Sequence, residues 1–252
     1  MIAADSDLVT SLHPSRNFGE RKDGVRPDIL LLHYTGMHSC ARAIGWLATP
    51  KSNVSCHYVI DTDGAITQMV QEQDRAWHAG AGAWQGHTDI NSRSIGIEIH
   101  NPGHEQGYPE FPAAQMQAVI ALSHDIIARN TIPAAHVLAH SDIAPARKID
   151  PGEKFAWSRL AAAGVGHWVQ PSPVDPFDDG LQRDARDPVV GDMQRQLAAY
   201  GYDIEGSGCL DAASMIVVRA FQRHFRPCRV DGRLDLSTRE TLARLIAALP
   251  MA

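Results

Sequence analysis

The chain has 252 residues, enough for one large domain or a medium and a small one, and its 44% hydrophobic and 21% charged content is that of an ordinary globular protein. A formal net charge of −6, with no run of Lys and Arg, removes the electrostatic footprint of a nucleic-acid partner. No segment approaches the ~20 apolar residues of a membrane span. Asp5 and Asp7 stand where a leader needs positive charge, so the expectation is a cytoplasmic protein, or a periplasmic one if a leader has been removed.

In chain order, Ile29-Leu-Leu-Leu32 is a continuous apolar run ending in His33, the pattern of a strand buried on both faces. Ser39 is placed to cap a helix running to Leu47. Val54 to Ile60 and Ile66 to Val70 read as two strands joined by the Asp63-Gly64 turn. Ser94 to His100 alternates, with Ile95, Ile97 and Ile99 on one face and Gly96, Glu98 and His100 on the other. Pro112 opens a helix whose stripe is Met116, Val119, Ile120, Ser123 and Ile127, and His136 to His140 reads as a last strand. The class is α/β, a mixed central sheet flanked by helices.

His167 to Leu181 holds three prolines and three aspartates with little periodicity, a linker composition. The division expected is residues 1–166, a linker 167–182, and a smaller all-α three-helix domain 183–252. Met193, Leu197 and Tyr200 form one helical stripe, and Met215, Val218, Phe221 and Phe225 a second. Ser237-Thr-Arg-Glu240 reads as a capping box ahead of Leu242, Leu245, Ile246 and Leu249. An echo, Gly208-Cys-Leu-Asp211 and Gly232-Arg-Leu-Asp235, precedes the second and third helices. Few contacts should cross such a linker, so a chain ending near Trp168 should fold alone. Cys40, Cys56, Cys209 and Cys228 form no CxxC pair, which argues against a thiolate zinc cage and for four small buried thiols.

The chemistry concentrates in His140-Ser-Asp-Ile-Ala-Pro-Ala-Arg-Lys148-Ile-Asp150-Pro-Gly152. A strand delivers His140, a Pro-containing loop turns back, and Lys148 and Asp150, two apart on extended chain, point the same way. An imidazole, a carboxylate and a nearby cation suit a metal site with a charged helper. A catalytic zinc takes three protein ligands and keeps one position open, and His33, at the end of an apolar strand, is the best third ligand. Glu98 is the candidate general base, carried on the face opposite three isoleucines. The Lys148 ammonium suits an oxyanion of a tetrahedral intermediate. Taken alone, His33 reads equally as a core histidine, Glu98 as a solvated surface residue, and Lys148 as a surface ion pair.

Five segments then fall in order across residues 25 to 165: His33-Tyr-Thr35, Ser55-Cys-His57-Tyr-Val-Ile-Asp61, Asp74-Arg-Ala-Trp77-His78-Ala-Gly80, Ser94-Ile-Gly-Ile-Glu98, and His140 through Gly152. Together they resemble the zinc-dependent N-acetylmuramoyl-L-alanine amidases, a family that shares its fold with peptidoglycan recognition proteins. The resemblance implies Zn2+ held by His33, His140 and Asp150, with Glu98 as acid/base and Lys148 stabilising the transition state. The partner implied is peptidoglycan or its anhydromuropeptide fragments. His57 and His100 are left between supporting a ligand and touching substrate, and Trp77 and His78 between lining the cleft and packing; no substrate-binding residue is assigned. His38 and His136 fall on no ligand position.

The C-terminal part resembles the three-helix peptidoglycan-binding module, through Gln194-Arg-Gln-Leu197, Tyr200-Gly-Tyr202, Arg219-Ala-Phe-Gln-Arg223, Val230-Asp-Gly232 and Thr238. It departs from that pattern at Glu205-Gly-Ser-Gly-Cys-Leu210, where family members carry Asp-Gly. The reading is therefore a hydrolase acting on the muramic acid–L-alanine amide for cell-wall recycling or turnover. Its rival is a peptidoglycan-binding protein that does not cut, which a missing ligand would favour. A different zinc peptidase fits less well, since HExxH is absent.

Overall fold

The computed structural model describes residues 3–250. Its strands and α-helices run β1 (Ser11–Leu12), β2 (Phe18–Gly19), β3 (Ile29–Tyr34), α1 (Cys40–Ala48), β4 (Tyr58–Ile60), β5 (Ile66–Gln68), β6 (Arg75–Ala76), α2 (Ile90–Arg93), β7 (Ser94–Ile99), α3 (Ala113–Asn130), β8 (Val137–Ala139), α4 (His140–Ile143), α5 (Trp157–Ala162), α6 (Pro188–Tyr200), α7 (Ala212–Phe225) and α8 (Leu236–Ala247). Six strands form one sheet in the order β1-β5-β4-β7-β3-β8. β4 and β5 are antiparallel across the Asp63-Gly64 turn, and the other neighbours are parallel. The mixed sheet flanked by helices, followed by a helical C-terminal part, is the architecture the sequence implies.

β3 lies between β7 and β8, so both its faces need apolar side chains. Leu30 and Leu32 join Ile95, Ile97 and Ile99 against Met116, Val119, Leu122 and Ile126 of α3. Ile29 and Leu31 point to the opposite face, the one His33 continues. The α3 stripe is rotated from the expected one: Leu122 and Ile126 are buried, while Ile120 and Ile127 only border the core. β4 begins at Tyr58 rather than Val54, and Ser55 is bonded to Trp77 instead of to the sheet.

His140 does not end a strand, contrary to expectation. β8 stops at Ala139, whose N–H donates to Asp142 Oδ2 at 2.8 Å, and the chain turns into the four-residue α4 with His140 as its first residue. The cap of α8 also differs. Asp235 accepts from the Thr238 N–H at 2.7 Å, while the hydroxyl of Ser237 donates to the Ser172 carbonyl at 2.6 Å. The sequence echo has a physical meaning: Asp211 and Asp235 are equivalent N-caps, each preceded by a buried leucine.

The expectation of few contacts across the Pro- and Asp-rich stretch does not hold. Ile29, Leu31, Leu138, Ile143 and Trp84 share one buried cluster with Val190, Leu197, Tyr202, Val217 and Phe221 from the C-terminal helices. Trp84 is the wedge, its ring centroid 5.0 Å from Tyr202 and 5.9 Å from Tyr200. It lies against Gly201, where a Cβ would come 2.4 Å from the indole and where φ is 143°, so glycine is required twice over. The stretch itself is anchored, with His167 Nδ1 2.9 Å from the Tyr200 hydroxyl and Ser172 buried against α8. The four cysteines are free; Cys40 and Cys56 are buried as expected, but Cys209 is half-buried and Cys228 exposed. No helix among the described residues is long and apolar enough to cross a membrane.

Candidate active site

His33 pairs in register with Glu98 of the neighbouring strand, so the two side chains leave the same face of the sheet. α4 brings His140 to that face, and the chain returns through turns in which the Arg147 and Lys148 N–H groups donate to the Ala144 carbonyl. A hydrogen bond from the Ser141 N–H to the Asp150 carbonyl, 3.0 Å, then brings Asp150 beside His140.

His33 Nδ1, His140 Nδ1 and Asp150 Oδ2 converge: the two nitrogens are 2.8 Å apart, and the carboxylate oxygen is 3.3 and 3.1 Å from them. These three residues form a group able to hold a metal ion. Their outward atoms are satisfied elsewhere. His140 Nε2 donates to the Ala79 carbonyl at 2.9 Å. His33 Nε2 meets His78 Nδ1 at 3.0 Å, His78 Nε2 meets Ser94 Oγ at 3.3 Å, and the Ser94 hydroxyl donates to the Ile90 carbonyl at 2.7 Å.

That last carbonyl only accepts, so the direction of every proton in the row follows. Ser94 donates to Ile90, His78 Nε2 donates to Ser94, and His33 Nε2 donates to His78. His33 Nδ1 is left with a lone pair, as a metal ligand requires. Gly96 lets the row close, since a Cβ there would lie 2.4 Å from His78 Nδ1.

Burial, then the neighbouring His140, lowers the His33 pKa to about 4 against the opposing pull of Asp150. Burial, followed by His33 and His57, holds His78 well below the usual histidine range. For Asp150 burial works to raise the pKa, but His140 and the hydrogen bonds to both histidines outweigh it and pull the carboxyl down. These shifts favour neutral His33 and His78 imidazoles and an ionised Asp150 carboxylate, as metal ligation by His33 and Asp150 requires.

His140 and Asp150 line a cleft of about 500 Å3 together with Glu98 and Lys148, and His33 is buried beside them. Glu98 is partly exposed as a residue, yet its Oε2 is buried with no hydrogen-bond partner among the described residues. Burial and then the Asp150 charge raise its pKa well above the carboxylate range, and Lys148 opposes them. A carboxyl with a free, proton-retentive oxygen suits proton transfer.

The residues left open by the sequence separate. His78 lines the cleft, whereas Trp77 does not. His57 packs edge-on behind His78 at 5.5 Å, and His100 bonds the Thr35 hydroxyl. His136 bonds the Asp28 carbonyl, away from the group. Sequence reasoning missed Ser94, Arg21, which is half-buried and reaches His57, and Asp142; their partners His78, His57, Tyr202 and His224 lie 16 to 82 residues away, which leaves no local signal.

A family model described as N-acetylmuramoyl-L-alanine amidase matches residues 23–153, and one described as a putative peptidoglycan binding domain matches 186–242. The chain is 38% identical over 235 residues to the N-acetylmuramoyl-L-alanine amidase AmiD of Escherichia coli (strain K12), covering 88% of this chain and 83% of that one. The 1,6-anhydro-N-acetylmuramyl-L-alanine amidase AmpD of Enterobacter cloacae is 38% identical over 185 residues, 64% of this chain and 94% of its own. Among solved structures, E. coli AmiD in complex with anhydro-N-acetylmuramic acid-L-Ala-D-gamma-Glu-L-Lys superposes with a TM-score of 0.74 at 33% identity, over 92% of this chain and 98% of that one. AMPDH3 of Pseudomonas aeruginosa, in complex with anhydromuramic pentapeptide, does so with a TM-score of 0.76 at 31% identity and full coverage of both chains. With two histidines and an aspartate converging at one point, and with these matches over its whole length, the chain belongs to the N-acetylmuramoyl-L-alanine amidase family.

Proposed function

We propose that this amidase hydrolyses the bond between 1,6-anhydro-N-acetylmuramic acid and L-alanine in soluble muropeptides, with zinc held by His33, His140 and Asp150. The observation that carries the reading is the convergence of three lone-pair-bearing atoms beside a lysine and a glutamate whose Oε2 has no hydrogen-bond partner among the described residues. The donor set fits zinc: two neutral imidazoles and one carboxylate leave a fourth position open. When bound, the ion supplies a Lewis acid that polarises the scissile carbonyl and makes water a stronger acid near neutral pH.

The chain's own groups do the rest. Glu98 Oε2 takes the proton of the attacking water and returns it to the L-alanine nitrogen as the amide breaks. Lys148 faces the same space and offers its ammonium to the oxygen that becomes negative in the tetrahedral intermediate. The row from His33 to Ile90 holds the His33 ring in one tautomer throughout. Residues 1–166 carry these groups, and 183–252, beyond the 167–182 stretch, add a peptidoglycan-binding-like part whose partner is the polymer or its fragments.

The substrate choice leans on the anhydromuramyl peptides bound by the two superposing relatives. Mass spectrometry of an anhydromuramyl tripeptide incubated with zinc-loaded protein should show free tripeptide and anhydro-N-acetylmuramic acid, and a chelator should stop their release. Binding without product at full zinc loading would favour the non-cutting alternative. Intact sacculi cleaved faster than the soluble fragment would shift the substrate to the polymer.

A further inference from the structure

The short helix α4 has two neighbours with different claims on it. His140, its first residue, faces the cleft, while Asp142 points the other way and is 1% exposed. Both Asp142 oxygens are engaged. Oδ1 accepts from the Tyr202 hydroxyl at 2.7 Å, and Oδ2 accepts from His224 Nδ1 at 2.7 Å and from the Ala139 N–H at 2.8 Å. Tyr202 and His224 belong to the C-terminal helical part, in the loop after α6 and on α7. His224 is clamped between Trp157 and Phe225, ring centroids 3.7 and 3.8 Å away.

We propose that Tyr202 and His224 are positioning residues for the metal site, so that the helical part completes the amidase centre through Asp142. The inference rests on the zinc reading given above. The Asp142 carboxylate holds the Ala139 N–H, and that bond fixes where β8 ends and α4 begins. The same turn sets the Cα–Cβ direction of His140. A buried carboxylate stays in one orientation only while its donors face it. If those donors are lost, Asp142 must turn to find others, the Ala139 N–H is released, and His140 Nδ1 moves off the point shared with His33 and Asp150. Groups that orient a metal ligand from behind typically change metal affinity by about 10–100-fold.

The test uses the full-length chain and zinc itself, titrated against a chromophoric chelator, with stability measured separately by denaturant. His224→Leu keeps bulk and removes the donor; its zinc affinity should fall by about tenfold or more. His224→Asn puts an N–H where Nδ1 was and should recover most of that loss. Phe221→Leu, in the same buried cluster but not bonded to Asp142, should lower stability and leave zinc affinity within about twofold, as for a site without shared partners. Wild-type affinity in His224→Leu, or an equal loss in Phe221→Leu, would overturn the proposal. Should His224→Leu fail to fold, Tyr202→Phe, which deletes one oxygen, decides: weaker zinc supports the proposal and unchanged zinc overturns it. A wild-type chain that binds no zinc would remove the metal reading first, and this inference with it.

Discussion

His57 is an imidazole with nowhere to put a charge. Burial first, and the Arg21 guanidinium next, lower its pKa to about 3, and its Nδ1 accepts from the Gly96 N–H at 2.9 Å. In the unfolded chain the same group titrates near 6.5. Its neutral form therefore contributes stability that is complete above about pH 6.5 and is lost as the pH falls towards about 3, at up to ~1.4 kcal/mol per pH unit. Denaturation midpoints of the metal-free protein at pH 7, 5 and 4 should fall in that order, and His57→Asn should flatten the slope. At the metal group, Asp150→Ala should lose both zinc and activity. Glu98→Gln should keep zinc and lose activity by about 100-fold or more, as when proton transfer is removed; a Glu98→Gln chain without zinc would make Glu98 a ligand. The residues assigned from sequence announced themselves because each stands out locally: a histidine ending an apolar run, a glutamate opposite isoleucines, a lysine and an aspartate two apart. The row through His78 and Ser94 was not legible, because it depends on Gly96 admitting a ring from 18 residues away in sequence.

At the scale of elements, periodicity identified the strands and helices but misplaced two ends that matter. The sequence points to a strand that includes His140, since nothing in Val137-Leu-Ala139 breaks the apolar run before it. What stops the strand is a side chain three residues on, bonded to an N–H that a longer strand would use. The pattern Ser237-Thr-Arg-Glu240 points to a cap at Ser237, yet Asp235 is the cap, because Ser237 is taken by the Ser172 carbonyl 65 residues earlier. Local sequence cannot weigh a partner that distant. The equivalence of Asp211 and Asp235 gives a clean prediction. Asp211 accepts from the Ser214 N–H at 2.8 Å and has no ion pair among the described residues, so Asp211→Ala should cost about 0.5–2 kcal/mol, the range for a lost N-cap. Chemical denaturation should show that loss with zinc affinity unchanged. A chain as stable as wild type would mean that backbone and packing alone start α7.

The whole molecule departs furthest from the sequence reading, because prolines and aspartates between 167 and 182 look like a tether whether or not the parts they join touch. Ending the chain near Trp168 would bare Ile29, Leu31 and Leu138 on the sheet face that also carries His33, bare Ile143 of α4, and strip Trp84 of Tyr200, Tyr202 and Gly201. Trp84 alone accounts for about 150–250 Å2 of burial, or ~4–6 kcal/mol at ~25 cal/mol per Å2. That is comparable with the entire stability of a typical domain, about 5–15 kcal/mol. Asp142 would in the same cut lose Tyr202 and His224, leaving a buried carboxylate short of donors. The truncated chain should therefore aggregate or melt far below the full chain, and its hydrolysis of soluble muropeptide should fall together with its hydrolysis of sacculi. A tethered wall-binding part predicts the opposite pattern, near-normal turnover of the soluble fragment and a selective loss on the polymer. Measuring both substrates with one truncated preparation separates the two, and a folded, fully active fragment would show that the shared cluster adds stability without shaping the site.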